Sequence, residues 1–103
     1  MTESKHGWHF LPEDRKVPRL GTPIKVGTIE RHDGDLKVCV SGLHFSPRPL
    51  DALQYAPGPV LHEVRVSGQI VMDSDKGAGA VRKTLWIDNV ELLLRAFTRW
   101  CAW

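Results

Sequence analysis

Apolar and polar residues alternate over three stretches of the chain, and a period of two is the pattern of half-buried β-strands. The alternation covers residues 36–40, 60–66 and 81–87. In the last stretch the pattern predicts that Arg82, Thr84 and Trp86 share one face of the strand. Shorter apolar runs predict further strands at residues 7–11, 24–29, 43–45 and 69–72.

Turn residues separate these predicted strands. Asp33-Gly34 predicts a type I′ hairpin turn between residues 24–29 and 36–40, because that turn needs positive φ at both central residues. The small and polar residues at 73–80 predict a mobile loop before the strand at 81–87.

A short helix is predicted at residues 50–56. Ser46 is a good N-cap, and Pro47 is a good first helical residue because the first turn of a helix leaves its N–H groups unbonded. The Pro-Gly-Pro sequence at 57–59 then ends the helix.

A longer C-terminal helix is predicted after Asp88, which forms a capping box with Glu91. Apolar residues recur behind it at helical spacing, at Val90, Leu93, Leu94, Phe97, Trp100 and Cys101. Glu91 lies four residues before Arg95, which favours a surface ion pair. We expect an α+β fold, a twisted and mostly antiparallel sheet packed by this helix, with one short helix after the central strand.

The composition is that of one globular domain. The chain has 103 residues, of which 42% are hydrophobic and 25% are charged, so we expect a single domain over residues 1–103 with a flexible start at 1–6. The net charge of +2 is too small to argue for nucleic acid by itself. The start has no apolar leader and no run is long enough to span a membrane, which predicts a cytoplasmic protein with no membrane partner.

The densest set of chemically useful side chains lies in residues 39–59. His44, Ser46 and Asp51 can be drawn as a nucleophilic triad, but N-capping is the better explanation for Ser46. His44 and Tyr55 have no structural role in this stretch. They are therefore the catalytic candidates if the protein is an enzyme.

The histidines and cysteines lack the spacing of a metal site. Neither Cys-x-x-Cys nor His-Glu-x-x-His occurs in the chain. His44, His62, Cys39 and Cys101 can still converge in space, but we expect no metal. We interpret the histidines as core or hydrogen-bonding groups and the two cysteines as inert core residues rather than a disulfide framework.

Basic and aromatic side chains supply the candidates for a binding surface. We predict binding roles for Arg48, Arg65, Arg82, Lys83, Trp86, Arg95 and Arg99. If the basic residues at 65, 82 and 83 lie on adjacent strands, they can face phosphate or an acidic protein. Trp and Arg are also favoured at the energetic centres of protein interfaces. A solvated basic face is the alternative.

Motifs along most of the chain resemble an uncharacterised family of small phage and prophage proteins. They are Gly-Trp-His-Phe at 7–10, Cys-x-x-Gly-Leu-His-x-Ser at 39–46, Leu-Asp-Ala-Leu-x-Tyr-Ala-Pro-Gly at 50–58, Val-x-Val-Ser-Gly-x-Ile-Val at 64–71, Asp-Lys at 75–76 and Thr-Leu-Trp at 84–86. The resemblance implies a mobile-element setting and supplies no activity.

About fifteen residues resemble the ADP-ribosyltransferase fold, in which a strand ending in Gly-aromatic-Phe-Ser/Thr leads into a helix with Ala and Tyr-Ala near its end. Gly-Leu-His-Phe-Ser at 42–46, followed by Ala52 and Tyr55, is similar to this pattern. The resemblance implies a pocket for NAD or another nucleotide, lined by His44, Ser46 and Tyr55.

We expect a non-enzymatic phage or mobile-element protein without a cofactor, which binds and inhibits a host protein or ribonucleoprotein complex such as a CRISPR-type defence factor. The alternative is a reduced ADP-ribosyltransferase-like enzyme or nucleotide binder. Catalysis is disfavoured because Glu63 lies mid-strand and Glu91 caps a helix, so neither matches the catalytic Glu of that fold. A structural accessory protein is a second alternative. Nucleic acid is a weaker partner candidate.

Overall fold

The computed structural model describes residues 4–16, 22–37 and 41–101. In these ranges the elements are β1 (Ser4–Leu11), β2 (Ile29–Arg31), β3 (Leu43–Phe45), α1 (Pro49–Leu53), β4 (Val60–Met72), β5 (Gly77–Asn89) and α2 (Glu91–Cys101). All strand pairings are antiparallel, which confirms the predicted α+β class with a mostly antiparallel sheet.

The hairpin of β4 and β5 is the centre of the sheet. β1 pairs with β4 over the whole length of β1. The other edge of β5 pairs with β2 at residues 81–83 and with β3 at residues 77–79. The strand order is therefore β1-β4-β5-β2, with β3 pairing β5 beside that path.

The chain after β3 returns to the free edge of β1, so the sheet closes on itself. The backbone N–H of Trp8 donates to the carbonyl of Ser46 at 2.8 Å, and the N–H of Ser46 donates to the carbonyl of Trp8 at 2.8 Å. β1 approaches β3 closely at Gly7, where an added Cβ would lie 2.5 Å from Cδ2 of Phe45. Glycine at this position is what permits the closure.

A bend in β4 carries the tip of the central hairpin toward β3. Gly68 has a φ of +75°, which glycine adopts without the penalty that a Cβ brings, and the register shifts between Ser67 and Ile70. Residues 77–79, at the start of β5, are all buried. The predicted loop at 73–80 is therefore too long, because its second half is strand.

Two apolar clusters form the core in the part of the chain that the structure describes. One contains Leu11, Ile24 and Val60, with the partly buried Ile87 packed against it. The other contains Phe45, Val64 and Val66, with the partly buried Ile70 packed against it. Full burial stabilises such side chains by about 1.5–3 kcal/mol each.

A bulge in β5 changes which residues share a face. Glu63 pairs with Trp86 and Val64 pairs with Thr84, so Leu85 is an extra residue in the ladder. Thr84 is fully buried, whereas Trp86 is 41% exposed. The prediction that Trp86 shares a face with Arg82 and Thr84 is wrong, because a strict period of two does not continue through a bulge.

The prediction of a hairpin around Asp33 is also corrected. The strand there begins only at Ile29 and pairs with β5. Gly34 has a φ of +108°, but Asp33 does not have positive φ, so the turn is not type I′. Residues 38–40, which include Cys39, lie outside the described residues.

The start of α1 differs from the prediction. The helix begins at Pro49, and Arg48 is its N-cap residue without a side-chain capping bond. Ser46 is instead buried, with its backbone in the bridge to Trp8. Ser46 pairs with Trp8 instead of capping the helix because the sheet closes at this point. The neighbouring residues in the sequence carry no signal of that closure.

α2 begins at Glu91, and its first turn is capped by Asn89 instead of by the predicted Asp88. The side chain of Asn89 accepts the N–H of Glu91 at 2.9 Å, whereas Asp88 accepts the N–H of Asn89. The predicted pair between Arg95 and Glu91 is confirmed at 2.8 Å. Within the described residues α2 makes only marginal contact with the sheet, and Leu92, Leu93 and Phe97 are 81%, 68% and 38% exposed, so the expected packing of this helix on the sheet is not observed.

Arg82 is a buried cation that connects three strands. Its Nε donates to Oε1 of Glu30 in β2 at 2.9 Å, and its Nη2 donates to Oε2 of the same carboxylate at 2.9 Å. Its Nη1 donates to the carbonyl of His44 in β3 at 2.6 Å. Arg82 is 3% exposed and Glu30 is 6% exposed, so neither charge has access to bulk water.

Replacing the buried carboxylate tests the importance of this pair. Glu30→Gln keeps the side-chain size but leaves the Arg82 charge uncompensated, and we expect it to lower the free energy of unfolding by about 3–5 kcal/mol. Glu91→Gln is the matched control on the exposed Arg95 pair and should cost less than about 1 kcal/mol. Urea denaturation measures both. Equal effects for the two variants would contradict a structural role for the buried pair.

Candidate functional site

One cavity collects the polar and aromatic side chains of several segments. Its volume is about 340 Å³. The described residues that line it are Trp8, His9, His44, Phe45, Ser46, Ala52, Tyr55 and Lys76. We call this cavity the aromatic pocket. It lies at the lower end of the range of about 300–1,000 Å³ that is usual for ligand sites.

Closure of the sheet produces the aromatic pocket. The paired backbones of Trp8 and Ser46 place one wall from β1 beside another from β3. α1 packs near β1 and contributes Ala52 to the pocket, and the turn after this helix contributes Tyr55. The β4–β5 turn adds Lys76. The lining residues are therefore up to 68 positions apart in sequence (76 − 8), and the fold alone brings them together.

Tyr55 is held at the mouth of the pocket by the β4–β5 turn. Its hydroxyl donates to the carboxylate of Asp75, with distances of 3.2 and 3.3 Å to the two oxygens. Nε2 of Gln54 donates to the same carboxylate at 3.4 Å. Nζ of Lys76 lies 4.6 Å from the centroid of the Tyr55 ring, which is cation–π geometry. An aromatic face and a positive charge are thus adjacent at the opening.

A chain of hydrogen bonds runs from the pocket into the sheet. Nδ1 of His9 lies 2.9 Å from Nε2 of His62. Nδ1 of His62 lies 3.1 Å from Oγ1 of Thr84. His62 and Thr84 are fully buried, whereas His9 is partly exposed at the pocket wall. We call these three residues the histidine chain.

Both imidazoles of the histidine chain are held neutral. Burial, and then the Arg82 charge, lower the pKa of His62 to about 3. Burial also lowers the pKa of His9 well below its usual value, and the Arg82 charge acts in the same direction. Neutral imidazole both donates and accepts one hydrogen bond, which suits the chain geometry.

His44 is the third histidine near Arg82. Burial and the Arg82 charge lower its pKa, whereas a hydrogen bond with the backbone of Lys37 raises it by a smaller amount. Nε2 of His44 is buried without a hydrogen-bond partner among the described residues. Burial likewise lowers the pKa of Arg82, although Glu30 opposes this shift.

The structure brings together three residues that the sequence proposed for a nucleotide pocket. His44, Ser46 and Tyr55 all line the aromatic pocket. Sequence reasoning missed Trp8, His9 and Lys76 as members of the same site, although Trp8 and His9 belong to a motif singled out at 7–10. Their separation along the chain left no local signal of proximity.

The predicted basic surface does not form as one patch. Arg82 is 3% exposed and paired with Glu30, so it cannot contribute to a surface. Arg65 and Lys83 are exposed cross-strand neighbours. Arg48 is exposed and forms a bidentate pair with Asp51.

The remaining candidates lie elsewhere. Trp86 is exposed on β5, and Arg95 and Arg99 are exposed on α2. Among the residues that the structure describes, no group of three His, Cys, Asp or Glu side chains is placed to hold a metal ion. The described lining of the aromatic pocket also contains no carboxylate.

The fold and the pocket define a small α+β protein with a closed antiparallel sheet and one aromatic cavity between β1, β3 and α1. The chain belongs to the family described as a domain of unknown function, DUF7666, whose model matches residues 5–93. That range includes all the described residues that line the aromatic pocket. No curated protein and no solved structure matches the chain. No helix within the described ranges is long and apolar enough to cross a membrane.

The neutral histidines predict a pH dependence of stability. His9 and His62 have a lower pKa in the folded than in the unfolded chain, so the unfolded chain binds more protons as pH falls below about 6.5. Their contribution is complete above that pH and is lost toward lower pH. Between pH 7 and pH 5 His62 should cost about 2 kcal/mol of unfolding free energy, and His9 should add a loss of the same sign.

Urea denaturation at a series of pH values measures this loss. His62→Gln should reduce the pH slope relative to the unmodified chain, whatever its effect at pH 7. A free energy of unfolding that stays constant from pH 7 to pH 5 would show that the two histidines are not held neutral.

Proposed function

We propose that this protein binds a small heteroaromatic ligand with an anionic substituent, of the nucleotide class, in the aromatic pocket. The observation that carries the proposal is the convergence of aromatic walls and polar atoms on one cavity. Trp8, Phe45 and Tyr55 offer ring faces for stacking. His9, His44 and Ser46 offer hydrogen-bonding groups beside them. Pockets of this composition are the usual sites of small-molecule binding.

The charge distribution supports an anionic substituent. Lys76 lines the opening beside the Tyr55 ring. Burial, and then the charge of Arg82, lower the pKa values of His9 and His44, so the inner side of the site is unfavourable for a cation. The binding of an electron-rich ligand is favoured by the same positive potential.

The size and lining of the site favour binding without catalysis. A cavity of about 340 Å³ suits one ring system with its substituents better than a complete dinucleotide such as NAD. The glutamates considered as counterparts of a transferase base have other partners, since Glu63 pairs with His6 and Glu91 pairs with Arg95. The proposal is therefore a nucleotide binder and not a transferase.

A thermal-shift series tests the proposal. Nucleoside monophosphates, the corresponding nucleosides and NAD are added separately to the purified chain. A ligand at a hundred times its Kd adds about 2.7 kcal/mol of stability, which raises Tm by about 10 °C or more for a domain of this size. Absence of a shift with every nucleotide would overturn the proposal.

Lys76→Met tests where the anionic group lies. A charge-assisted hydrogen bond contributes about 1.5–3 kcal/mol, so loss of Lys76 should weaken a monophosphate by roughly 10- to 100-fold and leave its nucleoside unchanged. Lys83→Met removes an exposed lysine from β5 that does not line the pocket and should change neither affinity. Calorimetric titration measures the affinities. An equal loss of affinity for the monophosphate and for its nucleoside would contradict the proposed position of the anionic group.

A second candidate function is inhibition of a host defence protein by a cytoplasmic phage or mobile-element protein. The exposed apolar side of α2 favours it, because Leu92 and Leu93 are 81% and 68% exposed. Arg95 and Arg99 lie on the same helix and fit a partner groove with an acidic rim. The source of the partner is taken from the resemblance of the sequence motifs to small phage proteins.

Paired substitutions on α2 test this second candidate. The unmodified chain should retain a partner from host lysate at one-to-one stoichiometry. Leu93→Asp should lose it, because a charge would be buried in the interface. Thr98→Asp changes an exposed polar position of the same helix and should retain it. Retention by all three chains, or self-association of the unmodified chain through α2, would contradict the second candidate.

A further inference from the structure

The histidine chain determines what His9 presents to a ligand. Nδ1 of His9 is used by His62. The other ring nitrogen of His9, Nε2, has no hydrogen-bond partner among the described residues. It is also not a fully buried unpaired atom, since among the described residues that status belongs to Nε2 of His44, so Nε2 of His9 is accessible. His9 lines the aromatic pocket. Its Nε2 is therefore the atom that a ligand can meet.

Two proton arrangements satisfy both hydrogen bonds when the imidazoles are neutral. In one, Nδ1–H of His9 donates to Nε2 of His62, and Nδ1–H of His62 donates to the Thr84 hydroxyl. Nε2 of His9 then carries a lone pair. In the other, the Thr84 hydroxyl donates to Nδ1 of His62, Nε2–H of His62 donates to Nδ1 of His9, and Nε2 of His9 carries the hydrogen.

Thr84 distinguishes the two arrangements. Its Oγ1 is fully buried, and Nδ1 of His62 is its hydrogen-bond partner among the described residues. In the first arrangement the hydroxyl only accepts, so its own hydrogen is left unpaired in the core. Leaving a buried donor unpaired is costly. In the second arrangement the hydroxyl hydrogen is used, so every polar hydrogen inside the chain has an acceptor.

We propose that Thr84 and His62 are positioning residues that hold His9 as an Nε2–H donor, so that the aromatic pocket selects a ligand with a hydrogen-bond acceptor facing His9. The chemical class is narrowed to rings that carry a carbonyl, an unprotonated ring nitrogen or a phosphate oxygen at that point. The ligand part of this inference rests on the proposed nucleotide function. The donor assignment is a property of the free protein.

Nitrogen-15 NMR of the imidazole rings tests the donor assignment without a ligand. At pH 7 the free protein should show a protonated Nε2 and an unprotonated Nδ1 on His9, and the same tautomer on His62. Thr84→Val keeps the shape of the side chain but removes the hydroxyl, so the His9 signals should move toward a mixture of tautomers. Thr84→Ser restores the hydroxyl and should restore the single tautomer. An unprotonated Nε2 on His9 in the unmodified protein overturns the proposal.

Titration with nucleoside monophosphates tests the ligand part on the same samples. The Nε2–H signal of His9 should shift on binding, and Thr84→Val should weaken binding about threefold to tenfold, as loss of one neutral hydrogen bond predicts. Unchanged affinity in Thr84→Val overturns the positioning role. If the tautomer is as stated but no nucleotide binds, the proposed function fails and the donor assignment stands, so the two failures are distinguishable.

Discussion

The buried pair between Arg82 and Glu30 is the interaction on which the rest of the structure depends. It joins β5 to β2, and the third donor of the guanidinium joins β5 to β3 through the His44 carbonyl. A buried cation without its carboxylate would be strongly destabilising, so β2 must remain in place for β5 to keep its inward residues inside. The same charge lies near His9, His44 and His62 and helps to hold them neutral.

Closure of the sheet connects this core to the candidate site. Because Ser46 pairs with Trp8, the strand that Arg82 anchors also forms one wall of the aromatic pocket. The neutral histidine chain extends from the β1 wall of the pocket to Thr84 on the strand of Arg82. Stability and ligand recognition therefore share the same residues, and we expect changes in the core of β5 to alter the pocket.

Much of the architecture follows from local patterns, whereas the site depends on contacts that are distant in sequence. Alternation correctly predicted most of β4 and β5, and the short strand at 43–45 was predicted with its observed bounds. The bulge at Leu85 was not predictable from alternation. Trp86 and Arg82 were therefore assigned to the same face of the strand, although Trp86 is exposed and Arg82 is buried. Ser46 was assigned to a helix cap because its pairing with Trp8, 38 positions earlier (46 − 8), leaves no trace in the neighbouring residues.

Chemical-shift mapping of a nucleoside monophosphate titration tests the central claim most directly, because it locates the ligand as well as detecting it. The account predicts saturable backbone shifts centred on Trp8, His44, Ser46, Tyr55 and Lys76, the residues that line the aromatic pocket. Saturable shifts centred instead on α2, or on the exposed basic residues of β4 and β5, would contradict the account.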